Sequence, residues 1–348
     1  MKPKHLSTAF FCLLIISAGL FINTLAQSPS TTGQGASAGS SSYRLSGPYT
    51  HGNLTVFLVH GKDLTTKTFL TLQEALAQKK ARVYETKDVN ELAIRNLSNQ
   101  DVYVQAGDIV RGGDQDRMIS VDFIVPPKSG RMPIAAFCVE SGRWNKRGNE
   151  ESASFSSSEN SIATKDLKLA AKRANSQQAV WDNVKVAQDK LAANVIAAAP
   201  ALLQTSSFEL SVENAKVKET TAAYLNALSG VLQNKTDVIG YVFAINGHVN
   251  SADVYASRAL FVKLWPKLLK ASAVEAVAEL NKDLETKPVA SETVHTFLAE
   301  SEKATAAARQ VTPRVKVVTR EDDKNIFFET QDRAANDGWV HRNYIRKQ

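Results

Sequence analysis

Apolar residues fall into two kinds of spacing along this chain, and the change from one to the other divides it roughly in half. From Asn53 to Glu140 the spacing is mostly that of strands. Leu54–Val59 is a short apolar run, and extended segments recur near Arg82–Thr86, Leu92–Asn96 and Val102–Gln105. Between Met118 and Val125 the alternation is strict: Ile119, Val121, Phe123 and Val125 share one face, and Ser120 and Asp122 the other. Such a period of two predicts one half-buried strand. Pro126-Pro127 ends it, and Ile134–Glu140, apolar on both faces, predicts a central strand. One short helix, Thr71–Lys80, interrupts this half, with Leu72, Ala75 and Leu76 on one face.

Beyond a long polar loop at residues 141–163, the period shifts toward 3.6. Val180, Val184, Ala187, Leu191 and Val195 predict a helix with Ser176 as its N-cap and Pro200 beyond its end. A second helix is expected over Val217–Leu232. Val238–Ile245 and Val249–Tyr255 flank Asn246-Gly247, a hairpin signal, because a type I′ turn needs positive φ at both central residues. Helices are expected again over Ser257–Leu280, kinked at Pro266, and over Ser291–Ala308. Three short strands are expected between Val315 and Ile345. The fold class read from this pattern is α+β. A β-rich N-terminal half forms a mixed or antiparallel sheet, a helical C-terminal half packs on it, and the short terminal strands rejoin the sheet. The domain is placed at residues 47–348.

The first residues read differently. Lys2 and Lys4 precede an apolar stretch from about Ala9 to Ile22, and small residues lead up to Ala26. This is the anatomy of a secretory signal peptide. The chain is therefore expected to be secreted or periplasmic, cleaved near Ala26, with no membrane span afterwards. Residues 27–46, rich in Ser, Gly and Thr, read as a flexible spacer. Two lysines and no acids lie before residue 27, so cleavage lowers the formal charge from +7 to +5. That balance is a mixed surface, and no nucleic-acid partner is expected. Only Cys138 follows the leader, which excludes an intramolecular disulfide. The dispersed histidines, with no ligand spacing, give no metal site. No phosphate-loop or nucleophile-elbow motif is present, and no cofactor is called for.

Two polar clusters carry the candidate chemistry. Arg111-Gly112-Gly113-Asp114-Gln115-Asp116-Arg117 precedes the alternating strand. Its glycines permit close backbone approach, Arg117 suits an anion, and Gln115 and Asp116 could orient a ligand. Glu140-Ser141-Gly142-Arg143-Trp144 stands where the expected central strand meets the long loop, and a carboxylate, a guanidinium and an indole there suit a sugar or a base. Cys138 reads as a buried, inert thiol and Trp181 as a core residue. Gln177 or Gln178 is left free to face a cleft.

Together with Gln178-x-x-Trp181 and the hairpin segment at Gly240, the Gly-Gly…Gln-x-Arg and Cys-Val-Glu-x-Gly-Arg-Trp clusters resemble the ARPP-1 domain. That domain is named for its association with ADP-ribosylglycohydrolases and rhodanese-phosphatases. The resemblance covers about residues 47–275. It implies an α+β domain, a gene-level association with NAD or ADP-ribose metabolism, and a site drawn from Gln115, Arg117, Glu140, Arg143 and Trp144. Asp114 departs from the pattern and makes the turn more acidic.

Three readings of function stand at this point. A binding module for an anionic or sugar/nucleotide-like small molecule would bring Arg117 and Arg143 together, with Trp144 as a stacking wall. A hydrolase would bring Glu140 and Asp116 together as an acid/base pair. An exported structural or interaction protein would leave the clusters separate and solvated.

Overall fold

The computed structural model describes residues 43–174, 176–195, 205–281 and 287–347. The segment read as a signal peptide and most of that read as a spacer lie outside these residues. The strands, in chain order, are β1 (Arg44–His51), β2 (Leu54–His60), β3 (Leu70–Thr71), β4 (Ala81–Glu85), β5 (Glu91–Asn96), β6 (Val102–Val104), β7 (Asp108–Gly112), β8 (Arg117–Ile119), β9 (Phe123–Val125), β10 (Met132–Cys138), β11 (Ser154–Ser161), β12 (Val238–Ile245), β13 (His248–Tyr255), β14 (Ala306–Gln310), β15 (Val315–Glu321), β16 (Asn325–Asp332) and β17 (Gly338–Arg346). The helices are α1 (Leu72–Ala77), α2 (Lys165–Leu169), α3 (Gln177–Val195), α4 (Phe208–Val212), α5 (Ala215–Leu228), α6 (Arg258–Ala278) and α7 (Ser291–Ser301).

An eight-stranded antiparallel sheet runs in the order β1-β2-β12-β13-β17-β16-β15-β14. Its centre is apolar on both faces, and the period of two decides what each residue meets. Val56, Leu58, Tyr241 and Phe243 belong to a core with Leu260, Phe261 and Leu264 of α6. Phe57, Val59, Val242 and Ala244 belong to a second core with Val294, Phe297 and Leu298 of α7. Each side chain so buried contributes about 1.5–3 kcal/mol relative to exposure. Asn246 and Gly247 have φ of 52° and 79°, as the β12–β13 turn requires.

The remaining strands form a closed six-stranded barrel, β10-β5-β4-β11-β7-β8, and a small sheet, β3-β6-β9. The α+β class therefore holds, but the division into a sheet half and a helical half does not. The C-terminal half supplies six of the eight strands of the large sheet, and α7 ends at Ser301 because Ala306–Gln310 is already a strand. The alternating stretch 118–125 is two strands. β8 belongs to the barrel, β9 to the small sheet, and the corner between them buries Ser120 and Asp122, which were expected to face water. β1 begins at Arg44, inside the span read as spacer, with Tyr43 already buried. The polar loop is shorter than expected, since Ser154–Ser161 crosses from β4 to β7 as a barrel strand.

Candidate functional site

The turn from β7 to β8 carries the first polar cluster, and its backbone explains the glycines. Gly112 and Gly113 have φ of +125° and +57°, and a Cβ on Gly113 would stand 2.4 Å from Phe155 and 2.6 Å from a Glu85 oxygen. The chain leaving β10 then runs beside this turn and beside residues 206–208. Val139 N–H donates to the Asp116 carbonyl (3.0 Å), Phe208 N–H to the Val139 carbonyl (3.0 Å), and Glu140 bridges to Ser207. Gln177, at the start of α3, clasps the end of β10: Cys138 N–H donates to its Oε1 (2.8 Å), and its Nε2 donates to the Cys138 carbonyl (2.9 Å).

These contacts bring the two sequence clusters together at Asp116 and Glu140, both buried. Asp116 N–H donates to Glu140 Oε2 (3.3 Å), and the Arg143 guanidinium spans the pair, with Nε and Nη2 each 2.8 Å from Glu140 and Nη2 3.5 Å from Asp116. Arg147 closes the other side. Its Nη2 lies 3.0 Å from Asp116 Oδ2 and 2.8 Å from Glu150. Ser207 Oγ donates to Asp116 Oδ2 (3.2 Å) and also accepts the Leu210 N–H as the N-cap of α4. Arg111 extends the cluster, 3.6 Å from Glu150 and 3.8 Å from Glu209. Four carboxylates and three guanidiniums thus share one surface-reaching network, with the carboxylates of Asp116, Glu140 and Glu209 deepest.

Burial raises the Asp116 pKa, and Glu140 adds to the rise against Arg147 and Arg143. Burial likewise raises Glu209, with Ser158 opposing. Burial works against the charge of Arg147, but Glu150 and Asp116 outweigh it and the pKa rises. Among the described residues no group of three or more His, Cys, Asp or Glu is placed to hold a metal ion.

Glu140 and Asp116 meet, then, and Arg117 and Arg143 do not. Arg117, next to Asp116 in sequence, is buried elsewhere and shares no partner with Arg143: it donates to the Val89 carbonyl (3.1 Å) and the Cys138 sulfur, and pairs with Glu85 at 3.5 Å. Cys138 is fully buried, and burial pushes its thiol up to about 11, as an inert cysteine should behave. Gln115 is wholly buried, with both amide atoms lacking a hydrogen-bond partner. Trp144 is 58% exposed. Trp181 is half-buried rather than in the core, and Gln178 bonds Asp182 on its own helix. Sequence reasoning missed Arg147, Glu150, Ser207 and Glu209. Arg143, Arg147 and Glu150 recur at spacings of four and three, a signal available within the polar loop. Ser207 and Glu209 arrive from a distant segment with no local mark.

A family model, described as the ARG and Rhodanese-Phosphatase-superfamily-associated Protein domain, matches residues 42–345. That span is longer at both ends than the 47–275 indicated by the motifs, and it takes in β1 and the terminal strands. No curated protein and no solved structure matches the chain. The turn, the Glu140–Trp144 segment and the strands that bring them together all fall inside the matched residues, and the chain belongs to the ARPP-1 family.

Proposed function

We propose that the chain is an exported binding protein for a small, neutral, hydroxyl-rich ligand of the sugar type. The ligand is recognised where the 112–117 turn, the 140–150 loop and Ser207 meet. The leader-like N-terminal segment supports export. The observation that carries the binding reading is the set of buried polar atoms without hydrogen-bond partners on these segments: both amide atoms of Gln115, Glu150 Oε2 and Glu209 Oε2, with Arg147 Nη1 held only by a 3.7 Å ion pair to Glu140. Buried polar groups are ordinarily satisfied. Unmatched donors and acceptors together suit a ligand that offers both, and hydroxyl groups do.

Charge selects the class. Arg111, Arg143 and Arg147 are already matched by Asp116, Glu140, Glu150 and Glu209, a net charge of −1 with every group ionised. A phosphate would add negative charge where each guanidinium is already engaged. Hydroxyls can donate to the carboxylates and accept from the guanidiniums, while the exposed Trp144 offers a flat surface to the C–H face of a sugar ring. A hydrolytic reading has two observations in its favour: Asp116 and Glu140 meet, where Arg117 and Arg143 do not, and the Asp116 pKa is raised, which suits a proton donor. Against it, the Arg143 guanidinium lies between the two carboxylates, where a scissile bond would have to sit.

The test is a thermal-shift and calorimetric screen of wild type beside Trp144→Ala. The panel sets neutral mono- and oligosaccharides against ADP-ribose and sugar phosphates. A ligand at 100 times its Kd stabilises the native state by about 2.7 kcal/mol. Neutral sugars are expected to give the shift, and Trp144→Ala to lose it with its ligand-free melting point nearly unchanged. Stabilisation by the phosphorylated compounds alone would return the site to an anion reading. No stabilisation by any class would favour the structural or interaction reading.

A further inference from the structure

A cleft of about 360 Å³ lies between the corner at Ser120–Asp122, the helical turn 170–174 that follows α2, and strands β15 and β16, and is lined also by Arg309 of β14. Val317, Ile326 and Phe328 supply apolar surface, next to Thr319, Glu321 and Thr330 of the same strands, and Lys172 and Arg173 line the cleft from the helical turn.

Behind the cleft lies a chain of buried polar groups that fixes what it can offer. His341 is buried with a carboxylate at each ring nitrogen: Nδ1 stands 2.6 Å from Asp122 and Nε2 3.0 Å from Asp253. Burial opposes charge on this ring, but the two aspartates outweigh it and raise its pKa. The ring stacks on Tyr255, with centroids 4.5 Å apart. Asp122 is saturated on the inner side. It also accepts from Thr330 Oγ1 (2.8 Å) and the Ala106 N–H (2.7 Å). Asp253 further accepts from Asn343 Nδ2 (2.9 Å), and the Asn343 oxygen accepts from Lys172 Nζ (2.7 Å). Lys172 therefore faces a neutral amide, with its ammonium 5.0 Å from the Phe328 ring, and it makes no ion pair among the described residues.

Arg309 is exposed, and among the described residues its side chain has neither a hydrogen bond nor an ion pair. Arg173, in contrast, is matched by Glu321 at 2.8 Å. The lining thus holds three cations, Lys172, Arg173 and Arg309, and two carboxylates, Asp122 and Glu321, while His341 and Asp253 behind it cancel. One positive charge remains, beside the apolar surface of Val317, Ile326 and Phe328.

We propose that this cleft is a second ligand site, built for a small organic carboxylate with an apolar or aromatic body, its anion held by Lys172 and Arg309 and its body laid against Phe328, Ile326 and Val317. The volume suits such a ligand, since small-molecule sites begin at about 300 Å³. A monoanion neutralises the lining, whereas a phosphate dianion would overshoot it. Burial lowers the Lys172 pKa, with Asp122 and Asp253 opposing, so a bound carboxylate would restore stability to its ammonium. This site shares no residue with the turn at 112–117, and either can stand without the other.

The test is isothermal titration of the full chain with benzoate and hexanoate, with benzamide as the neutral isostere of benzoate and phenyl phosphate as the dianion. Benzoate should bind one to one, and benzamide about tenfold or more weaker, the worth of one charge-assisted hydrogen bond. Arg309→Gln, on an exposed strand, should weaken benzoate several-fold at an unchanged melting point. Lys172→Met should abolish binding, and Trp144→Ala should leave it intact. Equal binding of benzoate and benzamide would overturn the proposal, as would no heat from either carboxylate at millimolar concentration, or a benzoate affinity that Arg309→Gln does not change. Tighter binding of phenyl phosphate would overturn the carboxylate assignment. Because Arg309→Gln does not disturb the buried groups, the test survives even if Lys172→Met fails to fold.

Discussion

Asp116 sits where the cost of burying a carboxylate outweighs what nearby cations return. Its pKa is raised above 3.8, by burial first and then by Glu140. A carboxyl raised on folding holds its proton more tightly in the native state. The stability it contributes is fully present below 3.8 and is lost as pH rises through the raised value. Asp116→Asn keeps the shape of the protonated form, so it should not show this loss. Melting curves from pH 4 to pH 7 should find wild type falling relative to the variant as pH rises, and a gap constant with pH would refute the assignment. Glu209, also raised by burial, leaves part of the slope in place. A sharper effect is expected at Gly113, where φ is +57° and an added Cβ meets Phe155 and Glu85. Gly113→Ala should cost about 2–4 kcal/mol, read by denaturant unfolding, through backbone strain and overpacking together. At this scale the sequence was partly legible. Two glycines before a dense polar run pointed to close approach, and apolar neighbours pointed to a buried Cys138. The meeting of Asp116 with Ser207 was not legible, because nothing local in a stretch of some ninety residues marks its partner.

Elements were legible where periodicity and caps agreed, and misread where a pattern outlived its element. The hairpin at Asn246-Gly247 and helix α3 behind Ser176 stand where their signals put them. At 118–125 the alternation continues through a corner, because Ser120 and Asp122 remain polar for reasons other than water. Ser120 Oγ bonds the Ala135 carbonyl at 3.2 Å, and Asp122 is taken up by His341 and Thr330. A period of two cannot separate a solvated face from one satisfied by protein. The same satisfaction governs the end of β10, where the Gln177 side chain takes the place of a neighbouring strand for the Cys138 N–H and carbonyl. Gln177→Ala removes both hydrogen bonds and leaves buried backbone groups unmatched. The expected cost is about 2–4 kcal/mol, from about 1–3 kcal/mol for each orphaned group less whatever water restores. Gln177→Glu should recover part of it, since a carboxylate still accepts from the Cys138 N–H. Equal stability of wild type and Gln177→Ala in urea would show that the clasp is dispensable.

For the whole molecule the decisive strand is the last one. β17 lies inside the large sheet, paired with β13 through Ser251–Tyr255 on one side and with β16 along its length on the other. Among the described residues it alone links β1-β2-β12-β13 to β16-β15-β14 in the sheet order. Its Tyr344 packs in the core under α7 with Phe297 and Phe327, and its His341 carries the ion pairs to Asp122 and Asp253, which tie the sheet to the corner after the barrel. A chain stopped after Asp337 loses the link, exposes both flanking edges and leaves two buried aspartates without their cation. Each broken buried pair alone costs about 3–5 kcal/mol, and a whole domain is stable by only about 5–15 kcal/mol. Truncation after Asp337 should therefore abolish cooperative folding of the entire domain, including the barrel. A fragment of residues 47–275, the span suggested by the motifs, should fare no better, since it lacks β14 to β17 together with the first three residues of β1. Circular dichroism and amide-exchange spectra of both fragments would decide it. Dispersed, protected signals from barrel residues in either fragment would mean that the barrel folds by itself, and that the large sheet is an attachment to the candidate site rather than the frame that positions it.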